Sequence, residues 1–155
     1  MRDLLEQQIG IELGASQTYM GMAIYFGLQN LDKWAKIFFK QSTEERGHAR
    51  RIIDFLVDVD EQFVLPQIAV GETKYQSAID VVQTSLDNEK KVTENFRHMA
   101  EVSLAEKDYT SFQFLQWFIQ EQVEEEDTMD RYLSVLKSEK DPFKAELIID
   151  ELKEE

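Results

Sequence analysis

The chain is 155 residues long, carries 31 acidic against 17 basic residues for a net charge of −14, and contains no cysteine. That length suits one domain with a self-sufficient core, and the missing thiol excludes disulfides, thiolate nucleophiles and Cys-ligated clusters, so any metal must be held by oxygen and imidazole. The negative charge disfavours nucleic acid and anionic lipid surfaces and makes cations the natural partners.

With only 6 Gly and 2 Pro, 43% hydrophobic and 31% charged residues, the composition suits long helices and an all-α fold. Met1 to Gly10 has no basic segment leading into an apolar run, and no stretch approaches the ~20 apolar residues of a membrane span. Neither secretion nor membrane insertion is expected, and a cytoplasmic location is.

In chain order the patterning predicts five helices in one domain over residues 1–155: Asp3 to Phe26, Leu31 to Val59, Ser77 to Ala105, Tyr109 to Lys137, and a short one from Pro142 to Lys153. The first carries Leu5, Glu12, Tyr19 and Phe26 at seven-residue intervals. Gly27 is its expected stop and Asn30 the expected cap of the second.

The second helix has a seam of Trp34, Phe38, Gln41, Glu45, His48, Ile52, Phe55 and Val59 at alternating steps of four and three. That is bundle-core spacing, yet its centre, Gln41, Glu45 and His48, is polar where a purely structural bundle would place Leu or Ile. Glu45 and His48, at i and i+3, project from one face and can ligate one ion.

Asp60 to Gln76 contains Pro66 and Gly71 and shows no helical period. At ~3.3 Å per extended residue it can run the length of a ~40 Å helix, so it is expected to cross over between two antiparallel hairpins, each closed by a short link at residues 27–30 and 106–108. Ser77 is placed to cap the third helix, whose stripe is Val82, Glu89 and Phe96. On the fourth helix Leu115, Gln122, Met129 and Leu136 form one row, and Phe118, Glu125 and Tyr132 form the next. Asp141 precedes Pro142 as an N-cap before a proline at the first helical position. The fold expected is a four-helix bundle over residues 3–137 with a long crossover and a short fifth helix over 142–153.

Each long helix therefore has one acid in its inward stripe, and the depths agree. Glu12 lies fourteen residues before Phe26 and Glu45 fourteen after Leu31, while Glu89 lies sixteen before Ala105 and Glu125 sixteen after Tyr109. Several unpaired carboxylates in a low-dielectric core would cost many kcal/mol or take up protons, and shared cations remove that conflict. Four carboxylate-bearing helices with a Glu-x-x-His make a di-metal carboxylate pattern. His98, nine residues beyond Glu89, falls on the opposite face and is expected at the surface.

The stretches IELGASQTY (Ile11 to Tyr19), STEERGHA (Ser42 to Ala49), LDNEKKVTE (Leu86 to Glu94) and FLQWFIQEQVEEE (Phe114 to Glu126) give the chain, nearly end to end, a pattern that resembles the prokaryotic-type non-haem ferritins. The resemblance implies a ferroxidase that oxidises Fe(II) to Fe(III) with dioxygen or hydrogen peroxide at an intrasubunit di-iron centre. It also implies storage of the ferric mineral in a homo-oligomeric shell of about two dozen copies, with residues 142–153 near a symmetry axis. By the same resemblance Glu12, Glu45 and His48 correspond to the first iron site, and Glu45 bridges to a second completed by Glu89 and Glu125. Gln122 stands beside it, and Tyr19 lies next to the iron pair as a hydrogen-bond or electron donor.

Glu44, Glu121 and Glu124, with Glu125, match a third iron site; the plain alternative is a solvated acidic face, since Glu126 and Asp127 continue the run. Haem-containing bacterioferritins carry a second Glu-x-x-His on the fourth helix and a methionine after the second-helix ligand Glu. Here Thr128 and Arg46 stand at those places, so haem is not expected. Two further readings fit the residues: a di-metal oxidase or peroxidase without storage, and a non-catalytic helical scaffold.

Overall fold

The computed structural model describes residues 1–152, with side-chain surroundings through residue 149. Its elements are α1 (Arg2–Leu28), α2 (Asp32–Asp58), α3 (Ala78–Ala105), α4 (Tyr109–Ser138) and α5 (Pro142–Leu152). All regular structure among the described residues is helical, as the composition leads one to expect. Lys153, the expected end of the fifth helix, lies outside those residues.

Two apolar clusters fill the bundle at different heights. One gathers Tyr19, Met22, Phe26, Trp34, Phe38, Val82, Leu86, Met129 and Leu136. The other gathers Leu5, Ile9, Ile52, Leu56, Val92, Phe96, Leu115 and Phe118. Each side chain of this kind that is fully buried contributes about 1.5–3 kcal/mol. On every long helix the inward acid falls between the two clusters: Glu12 between Ile9 and Tyr19, Glu45 between Phe38 and Ala49, Glu89 between Leu86 and Val92, Glu125 between Phe118 and Met129. The helices thus bring a polar layer to one depth, sealed above and below by apolar packing.

The ends of the helices correct two expectations. Gly27 does not stop α1, and Asn30 does not cap α2. The helix runs on to Leu28, Asn30 takes a left-handed φ of 59°, and its N–H and that of Leu31 return to the carbonyls of Gly27 and Phe26. Asp60 and Lys107 do the same after α2 and α3, at φ 58° and 57°. Three helices thus end in one Schellman motif with no glycine at its left-handed position. The expected caps at Ser77 and Asp141 form: Ser77 Oγ accepts from Asp80 N at 3.1 Å and Asp141 Oδ1 from Phe143 N at 3.0 Å.

The seam of α2 also departs from its expected end. Leu56 is 1% exposed, whereas Phe55 is half-buried and Val59 is 40% exposed. A straight helix turns once per 3.6 residues, so a 3.5-residue stripe drifts off the buried face over several turns.

The crossover lies against α1 where α1 has no side chain. A Cβ on Gly21 would stand 2.0 Å from the carbonyl oxygen of Glu72, and one on Gly10 2.6 Å from Cγ of Pro66. At the far end α5 folds back onto the start of α2. Its Glu146 Oε1 accepts from the N–H of Lys33 at 3.1 Å and of Trp34 at 3.4 Å, and Trp34 Nε1 donates to the Pro142 carbonyl at 3.1 Å. Glu146 thereby serves α2 as a cap that its own N-cap residue, Leu31, cannot provide.

Candidate metal centre

Glu12, Glu45, Glu89 and Glu125 are between 0% and 5% exposed, with His48 at 5% and Gln122 at 2%. They form two interlocked triads. Glu12, Glu45 and His48 offer ligand atoms all within 4.8 Å of one another, and so do Glu45, Glu89 and Glu125, so that Glu45 belongs to both. The first triad stands wholly on the α1–α2 hairpin, while the second draws on α2, α3 and α4.

Hydrogen bonds orient these groups. His48 Nδ1 is 3.1 Å from Glu45 Oε2 and 3.6 Å from Glu12 Oε2. The phenol of Tyr19 donates to Glu89 Oε1, Gln122 Nε2 donates to Glu89 Oε2 at 3.1 Å, and Gln41 Nε2 donates to Glu125 Oε2 at 2.8 Å. Gln8 Nε2 holds Glu12 Oε1 at 2.6 Å. Glu12 Oε2, by contrast, is a buried oxygen with no hydrogen-bond partner. A carboxylate oxygen so placed costs free energy unless a cation meets it.

The electrostatics point the same way. Burial pushes Glu45 well above the usual carboxylate range, partly offset by its bond to His48 and reinforced by the charge of Glu12. Glu89 is raised by burial against the lowering effect of Tyr19 and Gln122. Burial and the charge of Glu89 raise Glu125 to about 7, while Gln41 acts in the opposite sense. Burial alone would lower His48, but the Glu12 and Glu45 carboxylates outweigh it and raise the imidazole to about 11. Tyr19 is held well above 10 by burial and then by Glu89, so it stays a phenol and a donor. A divalent ion among these groups would favour the ionised carboxylates and so offset the cost of burying them. An oxygen-rich set with one imidazole suits ions such as Fe(II), Mn(II) or Zn(II).

The remaining expected ligands lie further out. Glu44, Glu121, Glu124 and Glu125 line one cavity of about 240 Å³ between α2 and α4, with Lys40 Nζ 3.4 Å from Glu44 Oε1. Glu121 and Glu125 also form a three-ligand group with His48, whereas Glu44 and Glu124 stand outside the three groups of this kind among the described residues. His98 is exposed.

Gln8, Ser16 and Ser42 escape a reading of the sequence. Ser16 Oγ and Ser42 Oγ each lie 2.7 Å from the other's carbonyl oxygen, tying α1 to α2 beside the first triad. Their one legible signal is a small or amide residue one turn from a ligand.

The chain matches the Ferritin-like domain family over residues 2–138. It is 34% identical over 132 residues to the bacterial non-heme ferritin of Staphylococcus epidermidis, covering 85% of this chain and 80% of that protein. It is 38% identical over 122 residues to ferritin BfrB of Mycolicibacterium smegmatis, covering 79% and 67%. An open-pore ferritin from the archaeon Archaeoglobus fulgidus superposes with a TM-score of 0.92 at 27% identity, over 96% of this chain and 92% of that one. A family match that takes in all four long helices, with relatives at this identity and coverage, establishes that this chain belongs to the ferritin-like domain family and is homologous to bacterial and archaeal non-haem ferritins.

Proposed function

We propose that the chain is a single-domain ferritin subunit that takes up two Fe(II) ions, oxidises them to Fe(III) and passes them to a stored mineral. The observation that carries this reading is the sharing of Glu45 between two buried triads, because two ions held by one bridging carboxylate can each give one electron to one oxidant molecule.

In this reading Glu12, Glu45 and His48 hold the first ion, and Glu45, Glu89 and Glu125 hold the second. Gln122 and Tyr19 orient Glu89 through the bonds described above. Two Fe(II) give two electrons. Dioxygen takes them with two protons and leaves as hydrogen peroxide; peroxide takes them with two protons and leaves as two waters. The protein contributes proximity and neutralisation of the developing ferric charge by hard oxygen ligands. A third, outer position at the α2–α4 cavity is supported by the grouping of Glu121 and Glu125 with His48, and Glu44 and Glu124 line the same cavity. The relatives named as ferritins support storage, and with it a shell of about two dozen copies. Among the described residues no helix is long and apolar enough to cross a membrane, in keeping with a cytoplasmic location.

Anaerobic addition of two Fe(II) per chain, followed by air, tests the reading. A rapid ferric absorbance that is lost in Glu45→Ala is the expected result, and its absence in the unaltered chain leaves only a scaffold. Size-exclusion chromatography tests storage separately, since a monomer or dimer cannot enclose mineral.

A further inference from the structure

The buried layer meets the surface on two sides of opposite character. On the α2–α4 side four carboxylates line the cavity and one ammonium stands at its rim. On the α3–α4 side a second cavity, of about 200 Å³, is lined by Thr93, Arg97, Ile119, Gln122, Val123 and Glu126. It has a single lining carboxylate, Glu126, which accepts from the Thr93 hydroxyl, and a single guanidinium, Arg97, which pairs with Glu94 at 2.6 Å; the rest of its wall is apolar or uncharged. Such a field draws cations far less than the acidic side does.

Gln122 links this second cavity to the metal centre. The residue is 2% exposed, and its Nε2 donates to Glu89 Oε2 at 3.1 Å and to the Glu89 carbonyl at 3.2 Å while lying 3.4 Å from Thr93 Oγ1. Its carboxamide therefore forms the wall between the cavity and a ligand of the second triad. The wall is uncharged, and the Gln122 side chain must give up its bonds to Glu89 before it can swing aside, so at rest it is held closed. A liquid water occupies about 30 Å³, so the cavity has room for several molecules the size of dioxygen or hydrogen peroxide.

We propose that the α3–α4 cavity is the port for the small uncharged oxidant and for its uncharged reduction product, hydrogen peroxide from dioxygen or water from peroxide, with Gln122 as its door, while cations use the acidic α2–α4 side. This rests on the oxidation proposed above. Separate entry keeps each reactant on a path whose field suits it.

Ile119→Trp fills the cavity without changing its charge, and Val123→Trp, at a position 62% exposed, covers its mouth with little risk to the fold. In a folded variant the KM for dioxygen and for peroxide rises about fivefold or more, the limiting rate at saturating oxidant is unchanged, and anaerobic Co(II) affinity stays as it was. If neither folded variant alters the oxidant KM, or if Co(II) affinity falls in equal measure, the port is overturned. Failure of the unaltered chain to bind two Co(II) would instead sink the di-metal reading, a separate result. Should Ile119→Trp not fold, Val123→Trp decides alone.

Discussion

The Tyr19 phenol on α1 donates to Oε1 of Glu89 on α3, joining one helical hairpin to the other through a ligand of the second triad. Tyr19→Phe removes that donor and nothing else of comparable size. A hydrogen bond to a carboxylate is worth about 1.5–3 kcal/mol, so binding at the second position weakens by between about tenfold and about a hundredfold while the first, on Glu12, Glu45 and His48, is little changed. Stepwise anaerobic Co(II) titration followed by its visible absorption separates the two; equal weakening of both steps contradicts the assignment.

Without metal the protein loses stability as pH rises. Burial raises Glu125 to about 7 in the fold against 4.5 for an ordinary glutamate, and it displaces Glu45 and Glu89 upward as well. Each holds its proton more tightly folded than unfolded, so this stability is complete below 4.5 and is lost as pH climbs through the folded values. His48, raised from 6.5 to about 11, adds a loss of the same sign between those two values. Melting temperatures of the metal-free chain therefore fall from about pH 5 to about pH 8, and saturating Mn(II) levels the slope by standing in for the protons. A profile that is flat without metal speaks against burial as the cause.

Gly21 leaves no room for a larger residue. Gly21→Ala puts a carbon 2.0 Å from the Glu72 carbonyl oxygen, so the crossover must lift from α1, at a cost of about 1–3 kcal/mol. Denaturant unfolding measures the loss, and faster proteolytic cleavage near Pro66 to Glu72 locates it. Gly14, which faces open space, is the control position for the same change.

Lys107 spends a left-handed conformation, φ 57°, at the turn between α3 and α4. Side chains with a Cβ pay about 1 kcal/mol there, which glycine avoids. Lys107→Gly is expected to raise the thermal midpoint by a few degrees with no effect on metal binding; a fall in the midpoint would mean that the lysine side chain contributes more than its backbone costs.

Acid removes a different support. Asp108 caps α4, accepting from Ser111 N at 3.0 Å and from its hydroxyl, and these bonds hold its carboxyl below the usual aspartate range. That contribution is present above the unfolded pKa and is lost as pH falls through the depressed folded value. Asp108→Ala should cost about 1 kcal/mol near neutrality, and the variant should differ less from the parent in strong acid. A constant difference across the acid range would place the loss elsewhere than in the cap.

What could be read in advance follows from period and depth. Glu12, Glu45, Glu89, Glu125 and Gln122 occupy heptad places that apolar residues hold on either side, so their burial and common level were visible in the spacing. Contacts between segments distant in sequence were not. Nothing local marks Gly21 as the seat of Glu72, Ser16 as the partner of Ser42, or Glu146 as the cap of α2, because each depends on which backbone arrives from elsewhere. Gly27 misled for a related reason: glycine permits a left-handed turn but does not impose one, and the turn fell on Asn30.

The two triads differ in what carries them. Glu12, Glu45 and His48 all rise from one hairpin, whose helices are locked together at Ser16 and Ser42, so the first ion enters a socket of nearly fixed dimensions. Glu45, Glu89 and Glu125 are spread over three helices and both hairpins. An ion seated among them would be a rivet through the middle of the molecule, fastening one half of the bundle to the other, which an ion in the first triad alone would not do.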